Sequence, residues 1–291
     1  MSPSHIALAV LVAAVWGFNF VVIAVGLDNF PPLLFSALRF LAASLPFLIF
    51  VRSPKVPWRW VLAIGLVLGV AKFSFLFVGI DIGMPAGLAS LVLQTQAFFT
   101  VLFAVVLFGD RPRPVQLAGM AVAFSGIGLI ASSLPFGGTA MGLLLTLAAA
   151  AAWGLANICM KQARPPDLLA LMVWVSAVPP LPLLALSWWL EGPEAIAAAV
   201  AGVTWTGVAA VAYIGLVSTV LGFAVWGYLL RTYTAALVAP FSLLVPIFGM
   251  TSAALFLGEA LTPVKYAAAA LVFAGLALTL LPRRRAGTQT G

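Results

Sequence analysis

The chain has one cysteine, one histidine and only seven acidic residues in 291. Each scarcity removes a class of chemistry. Cys159 stands alone, so there is no disulfide framework and no cysteine metal site. His5 is the sole histidine and lies at the N-terminus, which leaves no place for catalysis built on imidazole. The acids Asp28, Asp81, Asp110, Asp167, Glu191, Glu194 and Glu259 are scattered singly, with no Asp-rich motif. No Gly-rich phosphate loop is present either. A membrane enzyme acting on lipid phosphates needs such a cluster to hold metal or phosphate, so an enzyme is not expected, nor any cofactor or metal.

Charge as a whole is scarce, at 7% of residues. Soluble domains average about 25%. Hydrophobic residues make up 64%, and mean hydropathy is +1.19. A membrane span needs roughly 20 apolar residues. Ten runs approach that length: 5–27, 33–51, 60–80, 88–108, 115–134, 140–160, 168–190, 203–230, 236–257 and 265–282. The fold class expected is therefore all-α and integral to the membrane, with ten spans. The 26 glycines and 20 prolines do not oppose helices in a bilayer.

The net charge of +7 is not a nucleic-acid signal, because of where the bases fall. Arg52, Lys55, Arg59, Arg111, Arg113, Lys161, Arg164, Arg231 and Arg283 to Arg285 all lie on one side of the ten expected spans. Lys265 alone lies on the other side, which also holds Asp28, Asp81, Glu191 and Glu194. The basic side faces the cytoplasm, so both termini are expected inside. The first residues lack a basic n-region, so no cleavable signal is expected. The tail Arg283 to Arg285 reads as a headgroup anchor.

The sequence also repeats. Gly87 to Ile130 aligns with Ala236 to Thr279 at an offset of 149. Phe99 falls on Phe248, Asp110 on Glu259, Pro114 on Pro263 and Gly126 on Gly275. Trp16-Gly17 aligns with Trp153-Gly154 at an offset of 137, so about twelve residues enter the second half, with its third span the expected place. The halves are 1–134 and 135–291, joined at Pro135 to Thr139. Five spans per half force opposite orientations, an inverted repeat. In secondary transporters of that build the substrate site lies near the midplane where the halves meet.

Polar residues inside spans are costly and need a reason. Lys72 lies mid-span, about 13 Å along an ideal helix from Asp81, too far to pair with it. It either receives an anionic group such as a carboxylate or meets backbone carbonyls by snorkelling. Arg39 lies near the outer end of its span, where it either reads a carboxylate or holds Asp28 and the outer loop; the structural role is favoured. Gln96 shares a helix face with Thr100, whereas Gln94 points elsewhere. Asn19 and Asn157 follow the two Trp-Gly pairs. They either bind a substrate or cap helix breaks at Gly17 and Gly154. Trp16 and Trp153 lie too deep for an aromatic belt and read as cavity walls, whereas Trp226 reads as either wall or belt, with the belt favoured. Tyr213, Ser218 and Thr219 are weaker cavity candidates. Gly65 and Gly69 read as packing positions. All seven acids fall in loops or at span ends; Asp81 or Glu259 could reach the cavity but neither is central, so facilitated diffusion or substrate-driven exchange is expected as readily as proton antiport.

The run Trp16 to Val22 resembles the opening of EamA-type transporters of the drug/metabolite transporter superfamily. So do Leu38-Arg39-Phe40, Gly83 to Leu91, and the Gly-acid ends Gly109-Asp110 and Gly258-Glu259. The likeness covers nearly the whole chain and is greatest to bacterial exporters of cysteine, O-acetylserine and other amino acids. It implies a ten-helix basket of inverted five-helix repeats around a central cavity, in the bacterial inner membrane. It also implies efflux of amino acids, as the small-molecule substrate, from the cytoplasm. The lipid bilayer is the expected partner, with no nucleic acid, and a monomer is one state the sequence leaves open. A lipid-linked or sugar-type metabolite is the alternative cargo.

Overall fold

The computed structural model describes residues 1–134 and 137–280. The expected linker residues Pro135 and Phe136, the end of the last span and the tail Arg283 to Arg285 lie outside the described residues. Among those described there is helix and no strand. The helices are α1 (Pro3–Leu27), α2 (Pro32–Ser44), α3 (Trp58–Asp81), α4 (Ala86–Phe108), α5 (Pro114–Ser133), α6 (Gly138–Ala163), α7 (Leu168–Leu190), α8 (Pro193–Ala201), α9 (Trp205–Thr232), α10 (Ala239–Leu257) and α11 (Pro263–Leu280). Eight of them are long and apolar enough to cross a membrane, while α2 and the described part of α11 are shorter apolar helices. Leu11, Leu181 and Leu255 are 57%, 79% and 80% exposed, a surface suited to hydrocarbon and not to water.

Helix α2 ends at Ser44, short of the expected 33–51. The cause is Pro46, which lacks an N–H and disfavours helix at the residue before it. The chain continues through hydrogen-bonded turns, with Phe47 N–H donating to Ser44 O and Val51 N–H to Phe47 O. The start of α2 has no side-chain cap of its own. Glu191 supplies it from the second half, accepting from Leu33 N–H at 2.6 Å and Leu34 N–H at 3.2 Å.

The long helices change pitch at related places. Residues Gly65–Lys72 of α3 and Tyr213–Leu221 of α9 form π-helix, with starts 148 residues apart. Residues Leu93–Thr95 of α4 and Ala239–Leu243 of α10 are 3₁₀ turns. Helix α7 breaks at Ala177–Pro179, just where Pro179, Pro180 and Pro182 begin. The π segments sit near the offset of 149, so the twelve added residues enter before α9 and not within it. The short helix α8 accounts for most of them.

The paired glycines do not break their helices: α1 and α6 run through Gly17 and Gly154 without interruption. Their use is close approach. A Cβ at Gly17 would meet Phe248 Cβ at 2.5 Å and Val245 O at 2.7 Å in α10. A Cβ at Gly154 would meet Phe99 Cβ at 2.7 Å in α4. Each half's first helix thus packs on the other half's fourth. Gly65 and Gly69 similarly admit Val178 and Pro179 at the break in α7. Helices α5 and α11 pack through Gly119 against Gly275 O and Gly126 against Ala268 O, a register that runs antiparallel.

Gly17→Ala and Gly154→Ala are each expected to destabilise the folded protein by about 1–3 kcal/mol, through overpacking against backbone that cannot move aside. Gly128→Ala, at a position with nothing within 4 Å, is expected to hold or raise stability. Thermal unfolding midpoints of the three variants in detergent check this ordering.

Candidate functional site

A cavity of about 480 Å³ lies where α1, α2, α3 and α4 of the first half meet α6, α7, α9 and α10 of the second. The pitch changes described above all border it. Lys72 ends the π segment of α3, and Ser218 and Thr219 come from that of α9. A π turn widens the helix and displaces its side chains from the 3.6-residue register. The wider turn is visible in Thr219, whose hydroxyl donates to Ile214 O five residues back at 2.8 Å. Within the same segment Ser218 O accepts from Trp16 Nε1 at 2.9 Å.

All seven residues singled out in the sequence line this cavity: Trp16, Asn19, Arg39, Lys72, Gln96, Trp153 and Asn157. Arg39 is 3% exposed and Lys72 5%. Arg39 therefore does not snorkel, and no ion pair ties it to Asp28. Its guanidinium lies 3.8 Å from the ring centroids of both Phe40 and Phe73. Lys72 Nζ lies 3.4 Å from the Phe73 centroid and 4.9 Å from that of Trp153. Since Phe73 serves both cations, at 3.8 and 3.4 Å, the two charges stand no more than about 7 Å apart. At an effective dielectric of about 20, two like charges at that separation repel by about 2 kcal/mol. Cation–ring contacts recover part of this at about 0.5–2 kcal/mol each. No acidic residue lines the cavity. The ion pairs among the described residues, Arg231–Asp167 and Lys265–Glu259 at 3.8 Å each, involve other residues altogether.

The neutral polar groups divide into satisfied and unsatisfied. Asn157 Nδ2 donates to Gln96 Oε1 and, at 3.1 Å, to Thr100 Oγ1. This cluster joins α4 to α6 and uses the face shared by Gln96 and Thr100. Gln94 lines the cavity too, donating from Nε2 to Ser242 O at 3.3 Å. It lies within the 3₁₀ turn at Leu93–Thr95, one helical step from Ser90 on the cavity wall, against the expectation that it points elsewhere. Asn19 Oδ1 and Arg39 Nε are buried with no hydrogen-bond partner. Buried polar atoms in that state are rare and demand explanation.

Trp226 lines the cavity with its ring centroid 5.2 Å from that of Trp16, and so is not part of an aromatic belt. Tyr213 does not line it. Its hydroxyl donates to Val15 O at 2.9 Å and its ring packs edge-on against Phe18. Phe73 escaped the sequence reading altogether. The available signal is local, since each buried cation is followed directly by a ring, in Arg39-Phe40 and Lys72-Phe73.

Asp81 and Glu259 stay out of the cavity. Glu259 Oε1 instead accepts from Gly87 N–H at 3.1 Å, beside the start of α4. Among the described residues no group of His, Cys, Asp and Glu could hold a metal ion.

Comparison with known proteins bears on the whole chain. It is 46% identical to a probable amino-acid metabolite efflux pump of Salmonella typhimurium, over 92% of this chain and 92% of that protein. It is 43% identical to the probable amino-acid metabolite efflux pump of Escherichia coli, over 98% and 97%. A probable terminal-alkyne amino-acid exporter of Streptantibioticus cattleyicolor is 32% identical over 96% and 95%. A solved crystal structure of a protein 24% identical shares the fold, with a TM-score of 0.61 over 96% of this chain and 98% of that one. The model of the EamA-like transporter family matches residues 3–132 and again residues 140–281. The chain is thus a membrane transporter, and it belongs to the EamA-like transporter family.

Proposed function

We propose that this protein exports amino acids and related small metabolites from the bacterial cytoplasm by alternating access, across the inner membrane, with the 480 Å³ cavity as its substrate site. The observation that carries the reading is the cavity itself. Both halves build it, and Arg39 and Lys72 bring two buried cations to its wall with no acidic residue beside them. Relatives named as amino-acid metabolite efflux pumps, at 43 and 46% identity over nearly their full lengths, support the substrate class. Trp16, Trp153 and Trp226 serve as walls. Asn19, Arg39, Lys72, Gln96 and Asn157 serve as polar contacts. The carrier works as a monomer.

The reading includes ten spans arranged as two inverted five-helix repeats, 1–134 and 135–291, with both termini in the cytoplasm. Three features support the inversion. The antiparallel contacts Gly119–Gly275 and Gly126–Ala268 exchange with one another under the offset of 149, as an axis lying in the membrane plane requires. The contact of Gly17 with Phe248 is likewise the image of that of Gly154 with Phe99. The π segments of α3 and α9 occupy matching positions. The clustering of Lys and Arg in alternate loops supports the orientation.

Proteoliposomes preloaded with labelled cysteine, O-acetylserine, threonine, methionine or phenylalanine are expected to release a subset above the empty-vesicle rate. Release of none would move the cargo to a lipid-linked or sugar-type metabolite. Arg39→Ala is expected to slow that release at least tenfold. Phe73→Leu keeps the bulk but removes the ring both cations share. It is expected to lower stability by about 2 kcal/mol, read as a shift in the thermal midpoint. Asp81→Asn with Glu259→Gln is expected to leave release within about twofold of wild type, because neither carboxylate lines the cavity. Loss of pH-driven release in that double variant would establish a proton relay instead.

A further inference from the structure

We propose that the cavity selects substrates by net charge, taking amino-acid derivatives that are anionic overall, such as those acylated at the amine, over zwitterions, and rejecting cations. The proposal rests on the exporter reading and deepens it.

A zwitterion brings one positive and one negative charge into the site. The site already holds two cations, Arg39 and Lys72, within about 7 Å of each other by way of Phe73. It offers no carboxylate to receive an ammonium group. Two of the rings beside the cations already carry positive charge, Phe73 that of both and Trp153 that of Lys72. A substrate carboxylate relieves the repulsion between the two cations. A substrate ammonium in the same small volume restores it. An acylated amine keeps the carboxylate and gives up the positive charge. It also retains an N–H donor, and the cavity wall contains one buried acceptor without a donor, Asn19 Oδ1. The acyl group adds apolar bulk, for which Trp16, Phe20 and Leu76 provide the wall. Removing the charge of Lys72 leaves one cation, which a zwitterion's carboxylate balances alone.

The test uses three ligands that share one side chain: N-acetyl-L-methionine, L-methionine and L-methionine methyl ester, with net charges of about −1, 0 and +1 at about pH 6. Binding to the purified full-length chain is read by tryptophan fluorescence. Transport is read by competition with release of a labelled amino acid from proteoliposomes. The expected order is acetylated, then free, then ester, with at least a tenfold spread between the first and last. In Lys72→Met the spread is expected to fall below threefold, while Lys72→Arg keeps it. Should Lys72→Met fail to fold, the order in the wild-type chain decides the question. If amino acids are released but the ester binds as well as the acetylated ligand, charge selection is overturned and the exporter reading stands. If nothing is released and none of the three binds, the exporter reading falls and this inference falls with it.

Discussion

Hydrocarbon offers no hydrogen bonds, so a chain that leaves regular helix inside a membrane must satisfy its backbone from within. This protein leaves it repeatedly, and the answers to those departures shape the site. The π segment of α9 exposes the Ser218 carbonyl, which the indole of Trp16 takes up from α1. The 3₁₀ turn that opens α10 presents the Ser242 carbonyl, which Gln94 takes up from the matching turn in α4. Where α2 and α4 begin, free N–H groups meet Glu191 and Glu259 from the opposite half. In each case the irregular backbone of one segment is completed by a segment of the other half. The two halves are thereby joined through their interruptions as well as through their close-packed glycines.

The same departures lie beside the inward polar groups. Lys72 ends the π segment of α3, and Gln94 lies in the 3₁₀ turn of α4 with Gln96 just after it, and all three border the cavity. There the cations have no acid to pair with, and aromatic rings take that place. A ring face offers weaker attraction than a carboxylate. It also carries no net charge, so the field of the two cations remains available to whatever enters. An ion pair at the same position would have neutralised it.

Much of this was legible from residues alone. Long apolar runs mark the spans because length and hydropathy suffice for that. The offset of 149 marks duplication because Gly, Pro and acid positions repeat at helix ends. The seven polar and aromatic candidates stood out because each is costly in an apolar run, and all seven border one cavity. Other features left no such mark. A π segment differs from an α segment by one hydrogen-bond step, and Gly65 to Lys72 has no composition that separates the two. Gln94 was turned away from the cavity because its angle was reckoned from Gln96 alone, whereas both border the cavity. Arg39 was assigned to the interface because distance from a span end says nothing about which face a residue takes. Trp226 was given to the aromatic belt on the same reasoning. The early end of α2, by contrast, was written plainly in Pro46, and the continuous apolar run hid it.

A cavity with two fixed cations and no acid has an electrical consequence. Bacterial cytoplasm is negative relative to the outside, and each elementary charge moved across 100 mV is worth about 2.3 kcal/mol. A guest that is anionic overall is pushed outward by this potential alone. At 100 mV, 2.3 kcal/mol corresponds to about a fiftyfold higher level outside than inside. A carrier of that kind needs no buried carboxylate to shuttle protons, because its cargo already carries the charge on which the membrane voltage acts.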